Sequence, residues 1–173
     1  ELVNIDSCNV CHDQLAFHGG TRRNPILCTF CHSPNADDAE DRPDDEMPAE
    51  SIHFKWMIHK LHAGTSLENG YNLGGSDGED LDHITYPGEL KYCAACHDDE
   101  TYFVPVFEGA LDTATTNAGF YFPIKPAASA CLSCHDTVDA AAHAWTNTAP
   151  FGESCAACHG ENRDYSVEEV HAH

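Results

Sequence analysis

The chain has 173 residues, enough for one domain or two small ones, and carries 8 Lys+Arg against 29 Asp+Glu, a formal net charge of -21. That balance excludes nucleic acid as a partner, because phosphate binding needs a basic stripe. No run of about 20 apolar residues exists, so no segment is expected to span a membrane.

The hydrophobic fraction of 42% is ordinary, but the ten cysteines are not. They form five copies of Cys-x-x-Cys-His: Cys8, Cys11 and His12; Cys28, Cys31 and His32; Cys93, Cys96 and His97; Cys131, Cys134 and His135; Cys155, Cys158 and His159. The spacing is the attachment signal for c-type haem, in which both thiols bond to the porphyrin vinyl groups and the histidine becomes the proximal iron ligand. Disulfides or zinc knuckles are the bland alternatives. Zinc sites of this kind pair their knuckles, five knuckles leave one unmatched, and neither alternative accounts for the histidine after every pair.

Five haem c groups leave about 35 residues for each, too few for an ordinary core. The expected fold is therefore mostly irregular and α: short helices and loops wrapped around a five-haem core, little or no sheet, and almost no folding without haem. Residues 1–173 are read as a single pentahaem domain. Glu1 begins the chain without a signal peptide, as expected for a processed or excised segment.

In chain order, the motifs start at 8, 28, 93, 131 and 155, at intervals of 20, 65, 38 and 24 residues, so there is no solenoid period. Leu15 to Gly20 reads as a short glycine-stopped helix ending near His18. Asp37 to Glu46 holds seven acids in ten residues and reads as a solvated loop. Pro48 is expected to open a central helix, which Gly64 closes. On that helix His59 and His62 lie about 60° apart on one face, while His53 is about 180° from His62. A glycine- and acid-rich loop follows, then His83 before the third motif. Tyr102–Phe107 and Phe120–Pro123 read as short extended edges that cover haem faces. Asp136 is expected to cap a helix carrying His143, and Ser166 to Glu169 forms a capping box that starts a helix holding His171. His173 projects to another side of that helix.

Eight histidines lie outside the motifs, and five haems need five further ligands if all are low-spin electron carriers. Only Met47 and Met57 compete, so bis-histidine iron is expected at every haem, with low potentials because methionine ligation is what raises them. Helix geometry favours His59 and His62, and placement in short capped helices favours His18, His143 and His171. His53, His83 and His173 are reserves.

The runs CNVCHDQLAFHGGTRRNPILCTFCHSP, FKWMIHKLHAG, CLSCHDTVDAAAHA and ESCAACHGENRDYSVEEVHAH resemble the pentahaem module of the OmcA/MtrC-type outer-surface decahaem cytochromes of metal-reducing bacteria. The resemblance implies His18, His59, His62, His143 and His171 as distal ligands. It also implies electron transfer through five bis-histidine haems to minerals, soluble shuttles or other cytochromes, in an extracellular or outer-surface location, with the periplasm as the other compartment. No catalytic residue is implied. Family members join two such modules to two β-barrels, and this chain has one module and no barrel. The alternatives are a filament subunit that contacts identical subunits, where a C-terminal histidine ligates a neighbour's haem, and a multihaem reductase with one substrate-binding haem.

Overall fold

The computed structural model describes residues 2–74, 81–114 and 123–171. Seven short α-helices stand among them: α1 (Ile5–His12), α2 (Pro25–Cys31), α3 (Phe54–Ala63), α4 (Pro126–Leu132), α5 (Val138–Thr146), α6 (Ala156–His159) and α7 (Val167–His171). A two-stranded antiparallel hairpin, β1 (Thr148–Ala149) with β2 (Gly152–Glu153), is the one sheet among the described residues. Loops and 3-10 turns make up the rest. The fold is mostly irregular and α, as expected, and among the described residues no helix is long and apolar enough to cross a membrane.

Local chemistry explains where the motif helices begin. Asn4 caps α1, its Oδ1 accepting from the amides of Asp6 at 2.8 Å and Ser7 at 3.1 Å. Asn24 caps α2 in the same way through Ile26, and Pro25 occupies the first turn, where its missing N–H costs nothing. Helix α4 lacks a cap of its own. Glu153 of the distant hairpin supplies one, accepting from the amides of Ala127 at 2.9 Å and Ala128 at 2.6 Å.

Helix α3 is the scaffold. Trp56, Met57, Lys60 and Ala63 form its buried face, and Trp56 and Met57 join Tyr71, Ile124, Ala128 and Leu132 in the main apolar cluster. Alanines 140, 141 and 144 of α5 pack against that cluster. Gly64 ends α3 at φ +43°, and a Cβ there would stand 2.0 Å from the Ile84 carbonyl oxygen. That oxygen accepts from the next amide, Thr65, at 2.9 Å. Only glycine admits both the left-handed backbone and the close approach.

Several local expectations give way to tertiary contacts. His53, not Pro48, stands at the N-cap of α3, and Pro48 follows a cis peptide bond in the loop before it. Leu15 to Gly20 forms a turn closed by the Phe17–Arg22 bridge rather than a helix. In that turn His18, Gly19 and Gly20 take φ of +51°, +79° and +76° in succession, which two glycines make tolerable. Tyr102–Pro105 follows turns and bends, not an extended edge. Residues 120–122 of the second expected edge lie outside the described residues.

Thr137, not Asp136, caps α5. Asp136 instead accepts from the amides of Glu68 at 2.9 Å and Asn69 at 2.7 Å, tying the loop after α3 to the fourth motif. Ser166 does cap α7, accepting from Glu169 N at 3.2 Å.

The acidic run is only partly a solvated loop. Asp38 is 5% exposed, pairs with Arg42 at 2.7 Å and accepts from the amides of Glu50 and Gly74. Burial alone would raise its carboxyl, but these donors hold it below the usual carboxylate range. Arg42 also donates to the Asn72 carbonyl, so this one acid anchors three stretches of chain.

Candidate haem-binding site

Each Cys-x-x-Cys-His closes a single helical turn. The amide of the motif histidine donates to the carbonyl of the first cysteine at 2.9 Å in His32, 3.0 Å in His97, 2.8 Å in His135 and 2.9 Å in His159, and the first motif completes α1 itself. A spacing of four residues with that bond puts the first thiol and the imidazole on one side of the turn. None of the ten cysteines is bonded to another.

Each motif ring faces a histidine from outside the motifs. The pairs are His12 with His62 at 6.0 Å between ring centroids, His32 with His18 at 6.1 Å, His97 with His59 at 6.0 Å, His135 with His171 at 6.1 Å, and His159 with His143 at 6.0 Å. Two imidazoles on opposite sides of one iron, each with a metal–nitrogen bond of about 2 Å and roughly 1 Å from that nitrogen to the ring centre, stand about 6 Å apart. The residues present therefore fit haem c bound between two histidines.

The second ring nitrogen supports the same reading. Nδ1 lies 2.9 Å from the Ile52 carbonyl in His32, 2.8 Å from the Ile58 carbonyl in His62 and 2.9 Å from the Tyr165 carbonyl in His159. A carbonyl can only accept, so Nδ1 carries the proton and Nε2 keeps the lone pair that a metal requires. His59 and His171 bury Nδ1 without a well-formed hydrogen bond. Burial, then the neighbouring His97 ring, pushes His59 down to about 4, and burial also lowers His32, His97 and His171. Neutral imidazole is the form that binds iron.

The motifs also neighbour one another in a definite order. Burial raises the thiols of Cys8, Cys96, Cys131 and Cys134, and adjacent thiols add to it. Cys8 is affected by Cys96 and Cys28, and Cys96 by Cys11. Cys134 is affected by Cys93, and Cys131 by Cys155 and then Cys93. Direct contacts run in the same order. With the second motif beside the first, Asn4 before the first motif bonds Asp98 after the third. His59 pairs with His97 of the third while its carbonyl meets Cys134 of the fourth, and Glu153 before the fifth caps α4, which leads into the fourth. Helix α3 lies beside four of the motifs. It carries the partners of His12 and His97, its Phe54 amide donates to the His32 carbonyl at 3.0 Å, and the Cys134 sulfur lies 4.0 Å from the His59 carbonyl.

The reserve histidines sit elsewhere. His53 is buried, its Nδ1 2.8 Å from Thr113 Oγ1, and burial followed by the charge of Lys55 lowers it to about 4. His83 lies exposed in the 3-10 turn Leu81–His83. His173 lies outside the described residues. Sequence reasoning missed the groups that hold the rings, namely the carbonyls of Ile52 and Tyr165 and the hydroxyl of Thr101. Carbonyls carry no residue-type signal, and a threonine four residues after a motif histidine is too common a pattern to stand out.

Comparison with known proteins agrees with this chemistry. The family model described as outer membrane cytochrome MtrC/MtrF-like, domains II/IV, matches residues 1–172. The multiheme cytochrome MtrC of Shewanella baltica (strain OS185) is 26% identical over 170 residues, covering 97% of this chain and 19% of that protein. The chain thus spans about a fifth of that relative's length. With Cys-x-x-Cys-His turns and a match along nearly its whole length, the chain belongs to the MtrC/MtrF-like outer membrane cytochromes, a family of multihaem c-type cytochromes.

Proposed function

We propose that residues 1–173 form one pentahaem electron-transfer module, with five haem c groups held by the ten motif cysteines. The iron ligands are His12 with His62, His32 with His18, His97 with His59, His135 with His171, and His159 with His143. When bound, each haem supplies an iron that alternates between ferric and ferrous and so carries one electron. The protein's part is to hold two imidazoles on each iron, leaving no open coordination position, and to keep neighbouring motifs close. The order second, first, third, fourth, fifth gives a conduit with two ends. Helix α3, supplying one ligand to the first site and another to the third, sets the spacing near its middle.

The single observation that carries this reading is the set of five ring pairs at 6.0–6.1 Å. A second ring at every motif argues against a reductase, which needs one iron open to substrate. The family description, an outer membrane cytochrome, supports an outer-surface setting, and extracellular metal oxides, soluble shuttles or partner cytochromes are the acceptors proposed. The filament alternative rests on His173, which lies outside the described residues.

Two measurements test the proposal. Reductive titration of the holoprotein should take up five electrons per chain, and the reduced protein should be reoxidised by colloidal ferric oxide. His59→Ala should turn one haem high-spin and leave four low-spin. Fewer than five electrons would overturn the five-haem count, and a high-spin haem in the unmodified protein would overturn the bis-histidine reading.

A further inference from the structure

The five ring pairs share a distance but not an orientation. The planes of His59 and His97 are 19° apart and those of His18 and His32 are 29° apart. The other three pairs are close to perpendicular: 77° for His12 and His62, 86° for His135 and His171, and 87° for His143 and His159. Parallel imidazoles act on the same iron d orbital and separate it in energy from its partner, whereas perpendicular ones act on both alike and leave them nearly degenerate. Ferric low-spin iron reports the difference directly in its EPR spectrum, as a rhombic signal in the first case and a strongly anisotropic one in the second.

What fixes the third site in the parallel group differs from the arrangement elsewhere. His32, His62 and His159 donate Nδ1–H to main-chain carbonyls. His97 instead has a side chain opposite its Nδ1, the hydroxyl of Thr101 at 3.4 Å. That hydroxyl gives its own proton to the carbonyl of Asp98 at 2.8 Å or Leu2 at 3.1 Å, so a lone pair is left for the ring. Residues 2–4 secure the arrangement: Val3 bridges His97, the Asp98 amide donates to the Leu2 carbonyl at 3.0 Å, and Asn4 Nδ2 donates to the Asp98 carboxylate at 2.7 Å. Tyr102 meets the same ring edge-on at 5.9 Å. On the other side of the site, His59 Nδ1 is buried beside the Lys55 carbonyl one turn back, without a well-formed hydrogen bond. His59 is fixed by its place in the buried α3, and the angle between the two planes is then set by how His97 is held.

We propose that the ligand planes divide the five haems into two electronic classes, and that Thr101 is the positioning residue that keeps the third haem, between the first and the fourth, in the near-parallel class. The inference rests on the pentahaem reading above. A hydrogen bond from Nδ1–H also makes the ring a stronger donor and favours ferric iron, so losing Thr101 should raise the potential of that haem alone.

EPR of the fully oxidised holoprotein provides the test. The unmodified protein should give two rhombic low-spin signals and three strongly anisotropic ones. In Thr101→Val one rhombic signal should be lost or move to the anisotropic group, and a redox titration followed by EPR should place the displaced signal at higher potential. Thr101→Ser, which keeps the hydroxyl, should restore the original spectrum. Thr101→Ala removes the acceptor without the branched bulk and must show the same loss if the valine variant does not accumulate. Five signals of one class, or both rhombic signals unchanged without the hydroxyl, would overturn the inference while leaving five bis-histidine haems intact. A high-spin ferric signal in the unmodified protein would instead sink the ligand assignment beneath it.

Discussion

Helices α3 and α4 bury Trp56, Met57, Ala128 and Leu132 against one another, with half-buried alanines of α5 packed on them, whereas α1 buries no residue and α2 only Pro25. The apolar side chains of the first two helices face outward: Val10 is 82% exposed, Phe30 76% and Ile26 54%. One region has a core made of protein. The other is held by capping asparagines, the contacts of residues 2–4 with the third motif, and the ring pairs that reach α3. On the pentahaem reading, the prosthetic groups take the place of core side chains against the first two helices, because an apolar face is stabilised only by what covers it.

The largest effect should come from removing the haems. Protein produced without haem attachment should lose amide protection across α1, α2 and the third motif, exchanging at least about tenfold faster there than in α3 to α5. Hydrogen exchange read by mass spectrometry would show it, and equal protection in the two regions would break the comparison. The core side is tested by Trp56→Ala, expected to cost about 3–5 kcal/mol in the holoprotein. Chemical denaturation measures this, and a loss below about 1 kcal/mol would mean that haem contacts, not the apolar cluster, hold α3 in place.

A smaller effect sharpens the boundary between the regions. His53 stands just before α3, neutral and hydrogen-bonded to Thr113, with its folded-state value lowered from 6.5 to about 4. Between those values the unfolded chain takes up a proton that the folded one refuses. The contribution of His53 is therefore present above pH 6.5 and is lost as pH falls towards 4, a change on the order of 2 kcal/mol. Denaturation midpoints for the protein and for His53→Gln should converge across that window. Parallel curves would show that the imidazole is not held neutral.

Much of this was readable from residues alone, for a local reason. Cys-x-x-Cys-His closes one turn through its own backbone, so its chemistry does not wait on the rest of the fold. Gly64 and Ser166 also acted as their types predict, because their caps bond within a few residues. Asp136 and Pro48 did not. Asp136 was drawn to the amides of Glu68 and Asn69, and Pro48 was placed in the loop preceding α3. Leu15 to Gly20 became a turn because two glycines and the Phe17–Arg22 bridge outweighed a weak helical preference.

Sequence by itself therefore determined the five Cys-x-x-Cys-His turns, the excess of histidine over methionine, and little protein for each expected haem. It also singled out His18, His59, His62, His143 and His171 as candidate ligands. Tertiary structure alone decided which ring faces which, the neighbour order of the motifs and the angle between ring planes. Those properties depend on contacts between residues far apart in the chain, such as Asn4 with Asp98 and His59 with His97. No local preference encodes such contacts, which exist only once the loops have closed.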